Sequence, residues 1–369
     1  MDQLIGILGI LIVFGLIIGF HEFGHFIVAK LTGVGVIEFS IGFGPALFSK
    51  KYRGTQYSVR MIPLGGYVRM VGEDNEEEKG MPGNFNERPY YAKFLTIFAG
   101  AFMNFVLAFI VFAIVFAAIG RPQPGKTVYI AVVTPFSPAE KAGIKAEDVI
   151  VEVNGVRNIT SPDQAVTAIR NGTPPVRMVV ERDGRQHAFT IQPKKLKTPE
   201  PVAGGWLYRM REYYGIGIQP SVTSGERERD GFVTAVSNGA LEVAYRLKDA
   251  VAQVASLVTG SIKLKEISSF LGIGKISYDA SQDAVKSHGG LAKYLGLIGA
   301  LSIYIGFFNL LPIPMLDGSR MLFITIEAII RKPFDKKKEA MVHLVGLALL
   351  LTLVAYATFN DILRLSGKG

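Results

Sequence analysis

Unbroken apolar runs occur in four places along the chain, and the pattern between the second and third is of another kind. Residues 4–29 are apolar apart from one polar group, "HEFGH" at 21–25. Residues 94–120, "FLTIFAGAFMNFVLAFIVFAIVFAAIG", are interrupted only by Asn104. A third run begins near Leu291, "LAKYLGLIGALSIYIGFFNLL", and meets Pro312 and Pro314. The fourth is "MVHLVGLALLLTLVAYATF" at 341–359. About 20 apolar residues in a helix cross the roughly 30 Å core of a bilayer, so the pattern predicts about four transmembrane helices. The first run lacks a preceding basic segment and a small-residue cleavage site after it. It is read as a retained span and not as a signal peptide.

Between residues 121 and 222 short β-branched runs replace the long apolar ones. "VYIAVVTPFSPAEKAGIKAEDVIVEVNGVRNI" predicts strands around a small helix at 138–142 and a turn at Asn154-Gly155. "SPDQAVTAIRNG" reads as a helix with a serine cap. "PVRMVVERDGRQHAFTIQP" reads as a hairpin turning at Asp183-Gly184. The stretch 236–265 has helical periodicity and only moderate apolarity; an interfacial amphipathic helix and a plain packed helix both fit it. Four domains are expected: 1–120 with two spans and the loop between them, 121–222 as an α+β insert, 223–290 as a linker with an amphipathic helix, and 291–369 with the last two spans.

Composition sharpens this. The 369 residues are 49% hydrophobic and mean hydropathy is +0.31, too apolar for an ordinary soluble enzyme of this size. The net charge of +9 is spread over loops among acidic residues, which favours anionic lipid headgroups over nucleic acid. With no cysteine, a thiol nucleophile, a disulfide framework and a cysteine-bound metal are all excluded. Lys50, Lys51, Arg53, Arg60, Arg69, Lys79, Arg88 and Lys93 crowd the loop 31–93, and "RKPFDKKKEA" at 331–340 is basic too. The positive-inside rule makes both loops cytoplasmic. Both termini and the 121–290 insert then lie outside.

The polar group in the first run carries the chemistry. His21-Glu22-Phe23-Gly24-His25 is an H-E-x-x-H motif, and on a helix residues i and i+4 share a face, so the two imidazoles can converge on one metal ion. Glu22 lies a step around the helix. Zinc lowers the pKa of a coordinated water to about 7, and a carboxylate beside it can take the proton. Each ionisable group at bilayer depth costs at least ~2–3 kcal/mol, so three together call for a partner. Catalytic zinc takes three protein ligands. His187 and His288 are expected to face outside, and His343 reads as an interfacial residue. Asp317, in "FFNLLPIPMLDGSRM" (307–321), follows two prolines that cannot continue a helix, and irregular backbone at membrane depth implies a wet cavity. The acidic run "GEDNEEEKG" (72–80) reads as a solvated turn.

"HEFGH" in a first span together with "NLLPIPMLDG" (309–318) in a later one resembles the site-2 protease family of intramembrane zinc metalloproteases. One PDZ-like insert, with "SPAEKAGIKAEDVIVEVNG" close to the PDZ pattern, is similar to the bacterial RseP-type branch. The resemblance implies one Zn2+ per chain on His21, His25 and Asp317, with Glu22 as general base and acid. It implies Asn309, Pro312 and Asn104 in binding an unwound substrate, Asn104 matching a polar position the family keeps in its second span; a hydrogen bond that only joins two helices is the plainer reading of Asn104. The loop 39–70, with Gly42, Gly44, Gly65 and Gly66, looks like the family's membrane-reentrant β-hairpin, whose edge would pair with substrate. "YYGIGIQP" (213–220) places Gly215, Ile216, Gly217 and Ile218 at the carboxylate-binding loop of a circularly permuted PDZ groove; a strand with a glycine bulge is the plainer reading of the same residues. The implied function is cleavage of single-pass substrates, such as anti-sigma factors or remnant signal peptides, in the bacterial cytoplasmic membrane. A peptide or a bulky ectodomain would meet the PDZ domain. Two other classes fit less well. A membrane-anchored PDZ scaffold with a non-catalytic metal has no use for Glu22, and a zinc transporter would show repeated halves.

Overall fold

Long apolar stretches satisfy their own backbone groups as helices, and the computed structural model shows this for every one of them. It describes residues 2–73, 76–134, 137–201, 208–258, 270–286, 290–332, 334 and 336–365. Along the chain come α1 (Asp2–Leu31), β1 (Val36–Tyr52), β2 (Thr55–Met70) and α2 (Tyr90–Ile114), the last drawn out by a wider turn at Val115–Ile119. Then follow β3 (Arg121–Val133), α3 (Pro138–Lys141), β4 (Val149–Val153), β5 (Val156–Arg157), α4 (Pro162–Asn171), β6 (Val176–Arg182) and β7 (Arg185–Ile191). The chain continues through β8 (Lys194–Pro201), β9 (Tyr208–Gly215), β10 (Ile218–Glu228), α5 (Phe232–Val258) and α6 (Phe270–Lys286). It ends with α7 (Gly290–Leu310), α8 (Asp317–Ile330) and α9 (Lys336–Leu365). Two units result: residues 1–117, 231–251 and 262–369, and residues 118–230 with 252–261.

Four helices of the first unit are long and apolar enough to cross a membrane: Gln3–Leu31, Tyr90–Ile119, Gly290–Leu310 and Glu339–Tyr356. Where hydrophobic burial gives no preference for protein over lipid, small residues let helices approach closely. Gly24 of α1 packs so tightly on α2 that a Cβ there would overlap the Ala99 carbonyl oxygen. Gly6 and Gly9 similarly leave room for Tyr278 and Ser281 of α6, and the Tyr294 hydroxyl of α7 donates to the Gly9 carbonyl at 2.7 Å.

The loop expected to form a simple hairpin is more folded than that. Glu38–Ile41 face Gly66–Arg69 on one side, with Glu38 opposite Arg69 and Ile41 opposite Gly66. On the other side Glu38 faces Gln56 and Ile41 faces Val59, so there the numbers rise together. Ala46–Tyr52 then close the far side against Thr55–Arg60. β1 therefore bends back on itself, with Gly42 and Gly44 at φ +88° and +83°. Arg60 braces the bend, donating to Ser40 Oγ (3.0 Å), the Gly44 carbonyl (2.6 Å) and Glu38 (2.7 Å). Periodicity gives alternation but not register, so this weave is invisible in the sequence.

Two further expectations change. The acidic turn is not merely solvated: Glu78 is buried and accepts from the Gly72 N–H at 2.7 Å, and Glu73 pairs with Arg320 of α8. Its backbone donors and cations draw these carboxylates inward. Between the insert and the third span stand two helices, α5 and α6, in place of one; part of the expected 236–265 helix, residues 259–265, lies outside the described residues.

The second unit has a conventional apolar core. Its sheet runs β10-β3-β4-β6-β7, with β5 beside β4, and β8 pairs with β9 apart from it. Val128, Ile130, Ile150, Val153, Ile169, Val176, Met178, Val180, Ile191 and Ile216 fill the interior. Both expected caps are made: Ser137 accepts from Glu140 N and Ser161 from Gln164 N. Both turns sit where asparagine or aspartate with glycine permits positive φ, at Asn154-Gly155 and Asp183-Gly184. Asp148 is buried under Arg182, which donates to both carboxylate oxygens at 2.6 Å, while the Lys145 N–H adds a third bond at 2.9 Å. Burial opposes its ionisation, but these donors win and hold the Asp148 carboxyl below the usual aspartate range. Arg121 and Glu228 stand opposite each other where β3 begins and β10 ends. An Arg121–Asp230 ion pair at 2.9 Å and an Arg227 bond to the Gly120 carbonyl at 2.6 Å clasp these ends together.

Candidate metal centre

The H-E-x-x-H residues lie in the C-terminal half of α1, where helical spacing stacks His21 above His25. Both rings are buried, 9% and 6% exposed, against α2. Gly100 of α2 makes the space for them: a Cβ there would overlap His25 Nε2 and come within 2.8 Å of His21 Cε1. His25 Nδ1 donates to the Thr96 carbonyl at 2.8 Å. A carbonyl only accepts, so the proton is on Nδ1, and in the neutral ring Nε2 presents a lone pair.

The third member arrives from the other end of the chain. α7 stops at Leu310, Pro312 and Pro314 prevent its continuation, and Asp317 opens α8. The reversal is tight: a Cβ at Gly318 would overlap the Leu311 carbonyl oxygen. Met315, at φ +77°, donates its N–H to His343 Nδ1 of α9 at 3.1 Å, so His343 braces this turn. Lys93–Glu327 at 2.9 Å and Arg320–Glu73 hold α8 against α2 and the acidic turn.

Asp317 Oδ2 then lies 3.1 Å from His21 Nε2 and 3.3 Å from His25 Nε2, and the two Nε2 atoms are 3.2 Å apart. Three ligand atoms about 2.05 Å from one tetrahedral centre stand about 3.3 Å apart. His25 Nε2 has no proton to share while Nδ1 is committed, and Asp317 Oδ2 is buried with no hydrogen-bond partner. Electron pairs brought together at these distances suit a cation between them. His21, His25 and Asp317 are a set that could hold one, and their two nitrogens and one oxygen suit zinc.

Glu22, one residue along and only partly buried, turns toward β2: a Cβ at Gly66 would lie 3.3 Å from Glu22 Cγ. Gly65, at φ +119°, packs against the Phe43 ring. Among the described residues Gly66–Arg69 pair on one side only, with Glu38–Ile41. Asn104 is wholly buried, its amide 3.5 Å from His21 Nδ1. Asn309 and Pro312 flank the end of α7, both partly or fully exposed. Gly215, Ile216, Gly217 and Ile218 belong to the second unit, as does His187 in β7. His288 lies outside the described residues. Sequence reasoning missed Gly100, the Thr96 carbonyl and the His343 brace. The run of small residues around Gly100 was the one available signal.

A family model, that of peptidase family M50, matches residues 9–353. The chain belongs to peptidase family M50. It is a zinc metalloprotease of the site-2 type. It is 30% identical to zinc metalloprotease RasP of Geobacillus kaustophilus over 98% of each chain. It is 31% identical to metalloprotease MmpA of Caulobacter vibrioides, over 98% of this chain and 96% of the relative. Regulator of sigma-W protease RasP of Bacillus subtilis is 28% identical, over 97% and 98%. The likeness runs through the whole chain, which favours the protease over the scaffold.

Proposed function

We propose that this protein cleaves single-pass membrane proteins within the membrane, with His21, His25 and Asp317 holding one zinc ion and Glu22 as general base and acid. The observation that carries this is the convergence of three buried electron-pair donors beside Glu22 and an unpaired strand edge. Zinc, when bound, supplies Lewis acidity and an acidified water. Glu22 takes the proton released as water adds to the scissile carbonyl, and delivers it to the amine nitrogen as the C–N bond breaks. A helical substrate hides its carbonyls in its own hydrogen bonds. The edge at Gly66–Arg69 exchanges those bonds for strand pairing, and Asn309 and Pro312 hold the unwound segment.

The loop carrying this edge re-enters the membrane in this reading. Exposed Leu47, Phe48, Val59, Met61 and Ile62 support that placement, because apolar side chains of this size are costly to leave in water. The second unit is a single PDZ domain outside the membrane, as are both termini. Gly215–Ile218 lead into β10, an edge strand of its sheet, with α4 close by. That arrangement suits capture of an extended carboxy terminus by strand addition. The substrates are single-pass proteins already shortened outside, including membrane-bound anti-sigma factors, in keeping with the sigma-W name of the Bacillus relative.

The test is cleavage of a tagged single-pass substrate, lacking its ectodomain, by detergent-purified wild type and Glu22→Gln. Zinc is measured on the same samples. Loss of cleavage with about one zinc per chain retained is expected. Equal processing by both proteins would sink the assignment of Glu22.

A further inference from the structure

We propose that Asn104 is a positioning residue for the metal centre: its carboxamide oxygen accepts the Nδ1–H of His21 and so leaves Nε2 of His21 free for zinc. The proposal rests on the assignment of His21 as a ligand, and it gives Asn104 a role other than touching substrate.

Three observations carry it. The first is the tautomer that the cluster requires. His21 Nε2 faces Asp317 Oδ2 and His25 Nε2 at 3.1 and 3.2 Å. For it to offer a lone pair there, the ring's proton must sit on Nδ1, and that proton needs an acceptor. Of the described residues, Asn104 is the hydrogen-bond partner found at Nδ1, 3.5 Å away. The second is the orphan on Asn104 itself. Its side chain is 0% exposed and its Oδ1 has no hydrogen-bond partner, while Nδ2 is the atom turned to His21. An unpaired carbonyl oxygen in such a place is destabilising. The two ends of a carboxamide have the same shape, and half a turn puts Oδ1 where Nδ2 stands. That single rotation satisfies both the amide oxygen and the histidine proton.

The third is the care with which Asn104 is held. Ser302 of α7 donates its hydroxyl to the Asn104 backbone carbonyl at 2.8 Å. Gly306, one helical turn on, lets α7 approach so closely that a Cβ there would stand 3.0 Å from Asn104 Cβ. With α7 held against its backbone and Cβ, the amide has His21 as its hydrogen-bonding neighbour. His25 solves the same problem with the Thr96 backbone carbonyl. The two histidines are thus set by two acceptors, both supplied by α2 and eight residues apart.

The experiment measures zinc affinity by competition with a chelating dye, on the full-length protein in detergent, together with thermal melting. Asn104→Leu keeps the volume and removes the acceptor. Zinc binding 10- to 100-fold weaker than wild type is expected, with melting of the zinc-free protein unchanged. Asn104→Asp keeps an acceptor at the same point, and its affinity is expected to fall by much less than the roughly tenfold that marks loss of the acceptor. Should Asn104→Leu fail to fold, Asn104→Ala serves, with the same loss expected. Wild-type affinity in the leucine or alanine variant overturns the proposal, as does equal weakening in the aspartate variant, which would mean packing alone. Unchanged affinity in His21→Ala would instead overturn the ligand assignment, and the proposal with it.

Discussion

Two aspartates, one in each unit, are drawn away from solvent in opposite styles, Asp148 wholly and Asp317 in part. Asp148 of the second unit is closed off from solvent and surrounded by donors, with Arg182 on both oxygens and the Lys145 N–H completing the set. Asp317 of the first unit faces two imidazole nitrogens, and its Oδ2 receives no hydrogen bond. One carboxylate carries its counter-charge in the protein, so it can serve only to hold β6 beside the loop before β4. The other is left short of positive charge, and its neighbours are chosen to be equally short. A buried group whose partners are provided is structural; a buried group whose partners are also acceptors marks a site that waits for a cation.

The contrast is tested most strongly by exchanging roles. Asp317→Ala is expected to abolish cleavage and to lower zinc well below one per chain, while melting of the zinc-free protein changes little. Asp148→Ala is expected to leave zinc stoichiometry intact and to destabilise the second unit by about 2 kcal/mol, the scale of hydrogen bonds to a charged group. Metal analysis and calorimetry on the two variants check both, and zinc loss in the Asp148 variant would break the distinction.

Next in size is Gly100→Ala. Its methyl group would press on both histidines, so zinc affinity is expected to fall at least about tenfold. Gly19→Ala on α1, where a Cβ would meet nothing within 4 Å, is expected to bind zinc as wild type does.

Acid sharpens the comparison further. The Asp148 carboxyl lies lower in the folded protein than in the unfolded chain. Its stabilisation is therefore fully present above the unfolded aspartate value, near pH 4, and is lost as pH falls through the lower, folded value. Melting of the second unit, followed from pH 6 downward, is expected to drop in this range, and Asp148→Asn to flatten the drop. The smallest effect belongs to the exposed pair Arg157–Glu152. Arg157→Ala is expected to change stability by less than about 0.5 kcal/mol.

The spans and the meeting of His21, His25 and Asp317 were legible because each rests on local rules: run length for the helices, i to i+4 spacing for the two histidines, and the prolines that free Asp317. The caps at Ser137 and Ser161 and the turns at Asn154 and Asp183 were legible for the same reason. The rest depends on distant partners. The double pairing of Glu38–Ile41 is decided by tertiary register. Gly100 is informative only once the histidines are known to lie against it. Glu73 and Glu78 looked like surface charge until Arg320 and the Gly72 N–H were seen to receive them.

The clasp at the ends of the second unit has a consequence for how such proteins change over evolutionary time. Residues 121 and 228 stand opposite each other as strand partners, so the intervening chain departs and returns through a gap of about 5 Å. A module attached in this way can be lengthened, duplicated or exchanged without altering the path of the chain on either side of it. The second unit is thereby free to drift in sequence, while the set of His21, His25 and Asp317 stays under the unforgiving geometry of a few closely spaced atoms.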